Sequence, residues 1–294
     1  MQVVESNMSD TGTQQQQVRA YFREVSERCK LPPLPAVVAS GLRMVRDPNV
    51  NMTKLSRLLS DDAALVARLF TVSRSAFYGR YTPPKTLVQA IQVLGLRTVQ
   101  RILVASTAQS LCRDQSPVAV ALWEHSLAVA LTTELLARQN GFRELETVFL
   151  AGLLHDVGEM VLLHGDGPGF RQLVKKVKEE NLPALEQEKE IYGSDHTLIG
   201  GVLLDCWEFD GEIGNAVMHH HHDDATAATE PESLSSLLRV ADYLAGIAGF
   251  GFLTEPLAPP TETLSLWGCG DEESLQAMTE RVRQAVDAEK ALYS

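Results

Sequence analysis

Residues 151–158 read Ala151-Gly152-Leu153-Leu154-His155-Asp156-Val157-Gly158, an apolar run interrupted by an adjacent histidine and aspartate and closed by a glycine. Two polar side chains inside such a run cost free energy unless something satisfies them. A metal ion does this directly, because imidazole nitrogen and carboxylate oxygen are ordinary ligands and the two oxygens of an aspartate can bridge two ions. A buried His–Asp hydrogen bond that merely orders the core does it too. The pair alone leaves both readings open.

Outward from this run, apolar residues recur at the spacing of one helix face. The pattern predicts helices over Val118 to Gln139, Glu144 to Leu163, Phe170 to Glu180, Leu182 to Tyr192, His196 to Cys206, Gly211 to His221 and Glu232 to Ile247. Upstream it predicts Val18 to Cys29 and Ala36 to Arg46, then a helix capped by Thr53 that carries Leu55, Leu58 and Leu59. Another starts at Asp61 or Asp62, and Thr86 caps a pair, Ala90 to Leu94 and Leu96 to Leu111, parted by Gly95. Leu31-Pro32-Pro33-Leu34-Pro35 interrupts the first two, since proline removes a donor and restricts the residue before it. It reads as a rigid connector whose leucines tuck into the core, or as a polyproline ligand. Residues 250–270, rich in Gly, Pro and Thr, read as loop, and Asp271 to Ala291 as a closing amphipathic helix. Two-residue alternation bounded by hairpin turns is nowhere convincing.

The expected architecture is therefore all-α, in two packed helical lobes. A disordered lead-in covers 1–17, one lobe 18–116, a second lobe with the candidate site residues 117–250, and a loop plus helix 251–294.

The bulk properties exclude some partners. A formal charge of −12 argues against broad contact with a nucleic-acid backbone, which requires a basic footprint. Cys29, Cys112, Cys206 and Cys269 lie far apart with no C-x-x-C pair, which predicts reduced thiols and a cytoplasmic protein and excludes a zinc ribbon. No signal peptide is visible, and no uninterrupted apolar run reaches the roughly 18–20 residues of a membrane span. No membrane partner is expected.

All 8 histidines fall between positions 125 and 222: His125, His155, His164, His196 and the run His219 to His222. Here the residues match a family. Trp123-Glu124-His125-Ser126-Leu127, Gly152-Leu153-Leu154-His155-Asp156-Val157-Gly158, Asp195-His196-Thr197-Leu198-Ile199-Gly200, Ala216-Val217-Met218-His219-His220-His221 and Val240-Ala241-Asp242-Tyr243-Leu244 resemble, in order, the helices of the HD superfamily. Leu31 to Pro35, the Asp47-Pro48 turn, Leu58 to Leu69, Ser75 to Gly79 and Gln89 to Leu96 resemble the signature of its HDOD branch. The resemblance spans roughly residues 30 to 250.

The resemblance implies a metal site formed by His125, His155, Asp156, His196, His220, His221 and Asp242, loaded with iron, manganese, zinc or nickel. It places the paired histidines at His220 and His221, counted from Trp207, and leaves His219 and His222 as spares at a helix end. His164 reads as a cap or a surface residue. By the same resemblance the chain is a bacterial regulatory module with a signalling protein as partner; the alternative is a metal-dependent phosphohydrolase acting on a phosphoester. Two departures from the related HD-GYP phosphodiesterases disfavour hydrolysis of cyclic dinucleotides. Glu159 stands where they carry lysine, and His221 runs into His222-Asp223-Asp224-Ala225 where they carry Gly-Tyr-Pro. One turn after His155, Glu159 is expected to project towards the pocket mouth, as a repelling charge, an extra ligand or a partner for Arg or Lys, or else to face solvent.

Overall fold

Helix starts in this chain are set largely by capping side chains that accept from otherwise unpaired amides. The computed structural model describes residues 24, 27, 29–75, 78, 83–112, 115–209, 211–221, 233–253 and 261–293. Among them there is no strand. Helix α1 (Ala36–Arg46) follows the proline connector, and α2 (Met52–Leu59) is capped by Asn51, which accepts from the Lys54 amide at 3.0 Å. Thr53, expected as that cap, lies inside the first turn instead. Asp62 caps α3 (Ala63–Ser73) through the amides of Ala64 and Leu65, and Thr86 with Gln89 forms a reciprocal capping box on α4 (Leu87–Leu111). Gly95, at φ 77°, bends α4 where the sequence parts two helices.

Ser116 caps α5 (Pro117–Gln139), followed by α6 (Leu145–Leu154), α7 (Val157–Gly165), α8 (Gly167–Glu180) and α9 (Ala184–Tyr192). Asp195 caps α10 (His196–Cys206); then come α11 (Gly211–His219) and α12 (Leu234–Ala245), which runs into a π turn, Gly246–Phe250. Helices α13 (Thr261–Leu266) and α14 (Glu272–Tyr293) close the described chain. The lead-in 1–17, most of the expected helix from Val18, Ala76, Phe77 and Gly79 of the signature, and His222 with its following loop lie outside the described residues.

Helices α1 to α3 pack on α4 as one lobe, while α5, α6, α7, α10, α11 and α12 pack together as the second, and α4 also touches α6 and α7. The proline connector ties the lobes. Leu31 and Leu34 pack on the core, and the Pro32 carbonyl accepts from Trp207 Nε1 at 2.9 Å.

Three expectations need correction. The helix predicted from Glu144 to Leu163 is two helices, broken at His155-Asp156, because each side of the motif packs against a different neighbour. The segment 250–270 contains α13, and its Trp267 is 2% exposed, with its ring 5.4 Å from that of Phe142. The expected lack of membrane-length apolar segments is the third. Leu87–Leu111, Pro117–Gln139 and Leu145–Gly165 are each long and apolar enough to cross a membrane by length and composition. In the last two, 72% and 89% of the apolar window is buried inside the protein, so packing against other helices accounts for that apolarity.

Phe149 on α6 is fully buried beneath the Arg101 guanidinium, which lies 4.1 Å from the ring centroid and pairs with Glu134 and Glu146. Phe149→Ala is expected to cost about 3–5 kcal/mol in a urea titration, since it opens a cavity under a buried ion-pair network.

Candidate metal centre

The break between α6 and α7 is what aims the motif. His155 keeps helical angles (φ −57°, ψ −39°), but Asp156 does not (φ −102°, ψ 22°), so the chain turns there and both side chains reach the interior. The flanking glycines allow close approach. A Cβ on Gly158 would sit 2.0 Å from the carbonyl oxygen of His196, and one on Gly152 would sit 2.7 Å from Ala130 Cα and Thr133 Oγ1. Only a residue without a side chain lets α7 meet the start of α10 and α6 meet α5 at these distances.

The structure brings all seven predicted site residues together around Asp156. Its Oδ2 faces His125 Nε2 at 3.3 Å and His155 Nε2 at 3.1 Å; Asp242 Oδ1 lies 3.3 Å from His125 Nε2. Its Oδ1 faces His196 Nε2 and His220 Nε2, each at 3.4 Å. His221 completes this second group, with its ring centroid 4.1 Å from that of His220 and 5.2 Å from that of His196. His221 is exposed, while the other six are buried. His164 is exposed, and His219 Nδ1 donates back to the Asn215 carbonyl at 2.7 Å.

Each ring is held by its other nitrogen. His125 Nδ1 donates to the Phe250 carbonyl, His155 Nδ1 to that of Gly152 and His220 Nδ1 to that of Val217, at 2.8, 2.8 and 2.7 Å. His196 Nδ1 lies 2.9 Å from Glu188 Oε2. With Nδ1–H engaged, the neutral tautomer points its Nε2 lone pair at Asp156. Four such nitrogens and two carboxylates then face one another in a buried space, and positive charge, from protons on the imidazoles or from a bound cation, satisfies them.

Without an ion, protons on the imidazoles supply part of that positive charge. Burial opposes the charged form of His125, yet Asp156 and Asp242 outweigh it and hold its pKa well above the ordinary value; Glu188 and Asp156 do the same for His196. Burial would raise the two aspartates, but the surrounding imidazoles prevail, keeping Asp156 well below the usual carboxylate range and Asp242 at about 2. Burial and neighbouring imidazoles push His220 down, towards the neutral form that ligates. The residues fit a metal: Asp156 Oδ1, His196 Nε2 and His220 Nε2 are buried and make no hydrogen bond. Those three atoms converge on one point.

Two carboxylates behave differently from expectation or were missed. Glu159 is 2% exposed and lies behind His196, its Oε1 3.8 Å from Nδ1, so it is neither at the pocket mouth nor in solvent. The break at Asp156 rotates α7 and carries Glu159 inward; burial and Asp156 push its pKa up. Glu188 was not singled out, although its position among Ala184, Leu185 and Tyr192 puts a carboxylate on the apolar stripe of α9. It is the one buried residue of that helix.

A family model, the HDOD domain, matches residues 31–223. The chain belongs to the HDOD family. The fold of this HDOD chain is similar to that of a Geobacter sulfurreducens HDOD domain protein of unknown function (TM-score 0.71, 26% identity, 92% of this chain and 98% of that one). It is also similar to a Shewanella amazonensis SB2B protein provisionally named a phosphohydrolase (TM-score 0.67, 24% identity, 92% and 97%). A third is a Marinobacter aquaeolei VT8 protein provisionally named a signal transduction protein (TM-score 0.70, 20% identity, 95% and 64%). An uncharacterized protein of Treponema pallidum (strain Nichols) is 23% identical over 263 residues; the match takes in 88% of this HDOD chain and half the length of that curated relative.

Gly158→Ala should force α7 and α10 apart, because the new methyl meets backbone that cannot swing aside. We expect a loss of about 1–3 kcal/mol of stability, or more, with displacement of His196. Thermal melting and the metal content of the purified variant would check both effects.

Proposed function

We propose that this HDOD chain is a regulatory module whose His/Asp pocket holds one or two divalent transition ions, and that it acts through a signalling partner in the cytoplasm. One observation carries the metal reading: the buried Asp156 Oδ1, His196 Nε2 and His220 Nε2, aimed at one another without a hydrogen bond. A nitrogen-rich set with carboxylates suits iron, manganese, zinc or nickel better than calcium, which prefers oxygen. His125, His155, Asp156 and Asp242 would hold one ion, and Asp156, His196, His220 and His221 the other. The provisional name of the Marinobacter relative supports a signalling role, and four widely spaced cysteines without a C-x-x-C pair suit a reducing compartment.

Access and charge favour regulation over turnover. Among the described residues, no Lys or Arg forms an ion pair with any of the seven, whereas phosphoryl transfer gains from a cation at the developing negative charge. Of the seven, only His221 is exposed. The repulsion of phosphate expected of Glu159 at the pocket mouth does not arise there, since that carboxyl group lies behind His196.

A second reading rests on the bridging position of Asp156, whose two oxygens face two separate ligand groups, an arrangement compatible with two-ion hydrolysis of a phosphoester. Bound ions would supply Lewis acidity to a phosphoryl oxygen and to the attacking water; the chain itself would hold and orient the ions.

Elemental analysis of the purified protein should find transition metal, and a chelator should lower the melting temperature, because ligands that bind only the folded state stabilise it. Asp156→Ala should abolish both effects. A screen of the metal-loaded protein against phosphoesters should show no turnover. Hydrolysis that disappears in Asp156→Ala would replace the regulatory reading with the enzymatic one, and a wild-type protein that takes up no metal would refute the pocket assignment.

A further inference from the structure

The three main-chain carbonyls behind His125, His155 and His220 are neutral acceptors, whereas His196 is backed by a carboxylate. Glu188 is fully buried, and its Oε2 receives two donors from one residue: the His196 amide at 2.7 Å and Nδ1 at 2.9 Å. The amide is that of the first residue of α10 and has no acceptor inside the helix. A single carboxylate therefore fixes both the start of α10 and the ring it carries. Glu188 is placed there by α9, whose left-handed end at Gly193 (φ 71°) turns the chain directly into Asp195 and α10. Outside the turn, Lys189 Nζ clasps Asp195 Oδ2 at 2.8 Å and ties the same two elements together.

We infer that Glu188 is the positioning residue of His196, setting its tautomer and basicity and thereby the affinity of the half of the pocket formed by Asp156, His196, His220 and His221. The inference rests on the metal reading proposed above. A carboxylate accepting from Nδ1–H strengthens the lone pair on Nε2, and loss of such a partner typically weakens metal affinity by about ten- to hundredfold. The opposite half, with His125, His155 and Asp242, has no contact with Glu188 and keeps its carbonyl-backed rings. Glu159 stands beside the pair as a second buried carboxyl group behind the same ring, with Oε1 3.8 Å from Nδ1 and Oε2 unbonded. Glu159, Glu188 and His196 Nδ1 lie close enough to hold an ion of their own. Such an ion would have to displace the two N–H donors already on Glu188, so a ligand-backing role accounts for the geometry better.

The test is a cobalt(II) titration of the metal-free protein, followed by visible absorption and calorimetry, with Glu188→Gln as the variant. Glutamine keeps an acceptor oxygen and the side-chain length but removes the charge. Expected is a tenfold or greater weakening of one of two cobalt-binding events, a changed cobalt spectrum for that event, and a metal-free melting temperature close to wild type. In a His196→Ala background Glu188→Gln should have no further effect on cobalt. Wild-type cobalt binding by Glu188→Gln would overturn the inference, as would a lowered metal-free melting temperature with unchanged affinity, the mark of a packing role. If Glu188→Gln does not fold, Glu188→Asp decides: the shorter side chain should lose Nδ1 and weaken the same event, and unchanged binding overturns the inference. Failure of the wild-type protein to take up cobalt would instead count against the metal reading itself.

Discussion

The arrangement of the second lobe follows from the surroundings of one carboxylate. Asp156 Oδ2 faces His125 and His155, and Oδ1 faces His196 and His220, so side chains from four separate segments of the chain meet at a single residue. Six of the seven clustered groups are buried. An unpaired charge in such a place costs several kcal/mol even after relaxation, so the helices that deliver these groups must also deliver their partners. They do so from behind: every buried ring is anchored through Nδ1, and the anchors come from the π turn after α12, the end of α6, the end of α11 and the inner face of α9.

That requirement explains features that otherwise look like irregularities. A straight helix through His155-Asp156 could not place both side chains in the cluster while α6 lies on α5 and α7 lies on α10, and the chain breaks between them. The π turn that ends α12 places the Phe250 carbonyl at His125. Local helical energy is given up at both points, which is tolerable because the apolar contacts on either side are extensive and the gain is a satisfied buried polar group.

The first lobe reaches the cluster only indirectly. Helix α4 touches α6 and α7, and the connector at Pro32 is held by Trp207 at the end of the helix that begins with His196. A shift of that helix would therefore be felt at the connector, and a displaced connector at the helix, through one hydrogen bond and the packing of Leu31 and Leu34.

Helix content, most helix bounds and the identity of the clustered residues were legible in the sequence, because caps, prolines and 3.6-residue periodicity are local properties and the motifs carry their residues in fixed order. Ala36–Arg46 and His196–Cys206 have the bounds that periodicity predicted. What the sequence could not determine were the break at Asp156, the inward rotation of Glu159, the burial of Trp267 and the carboxylate behind His196. Each depends on where a distant segment packs. The approach of the His196 backbone demands Gly158, and α9 can bring Glu188 to α10 only after Gly193 has turned the chain. Composition and spacing determine which side chains are available and which face of a helix carries them. Only the packing of one helix against another decides which of two buried carboxylates faces a ligand and which stands behind it, because that choice is made by contacts between residues far apart in the chain.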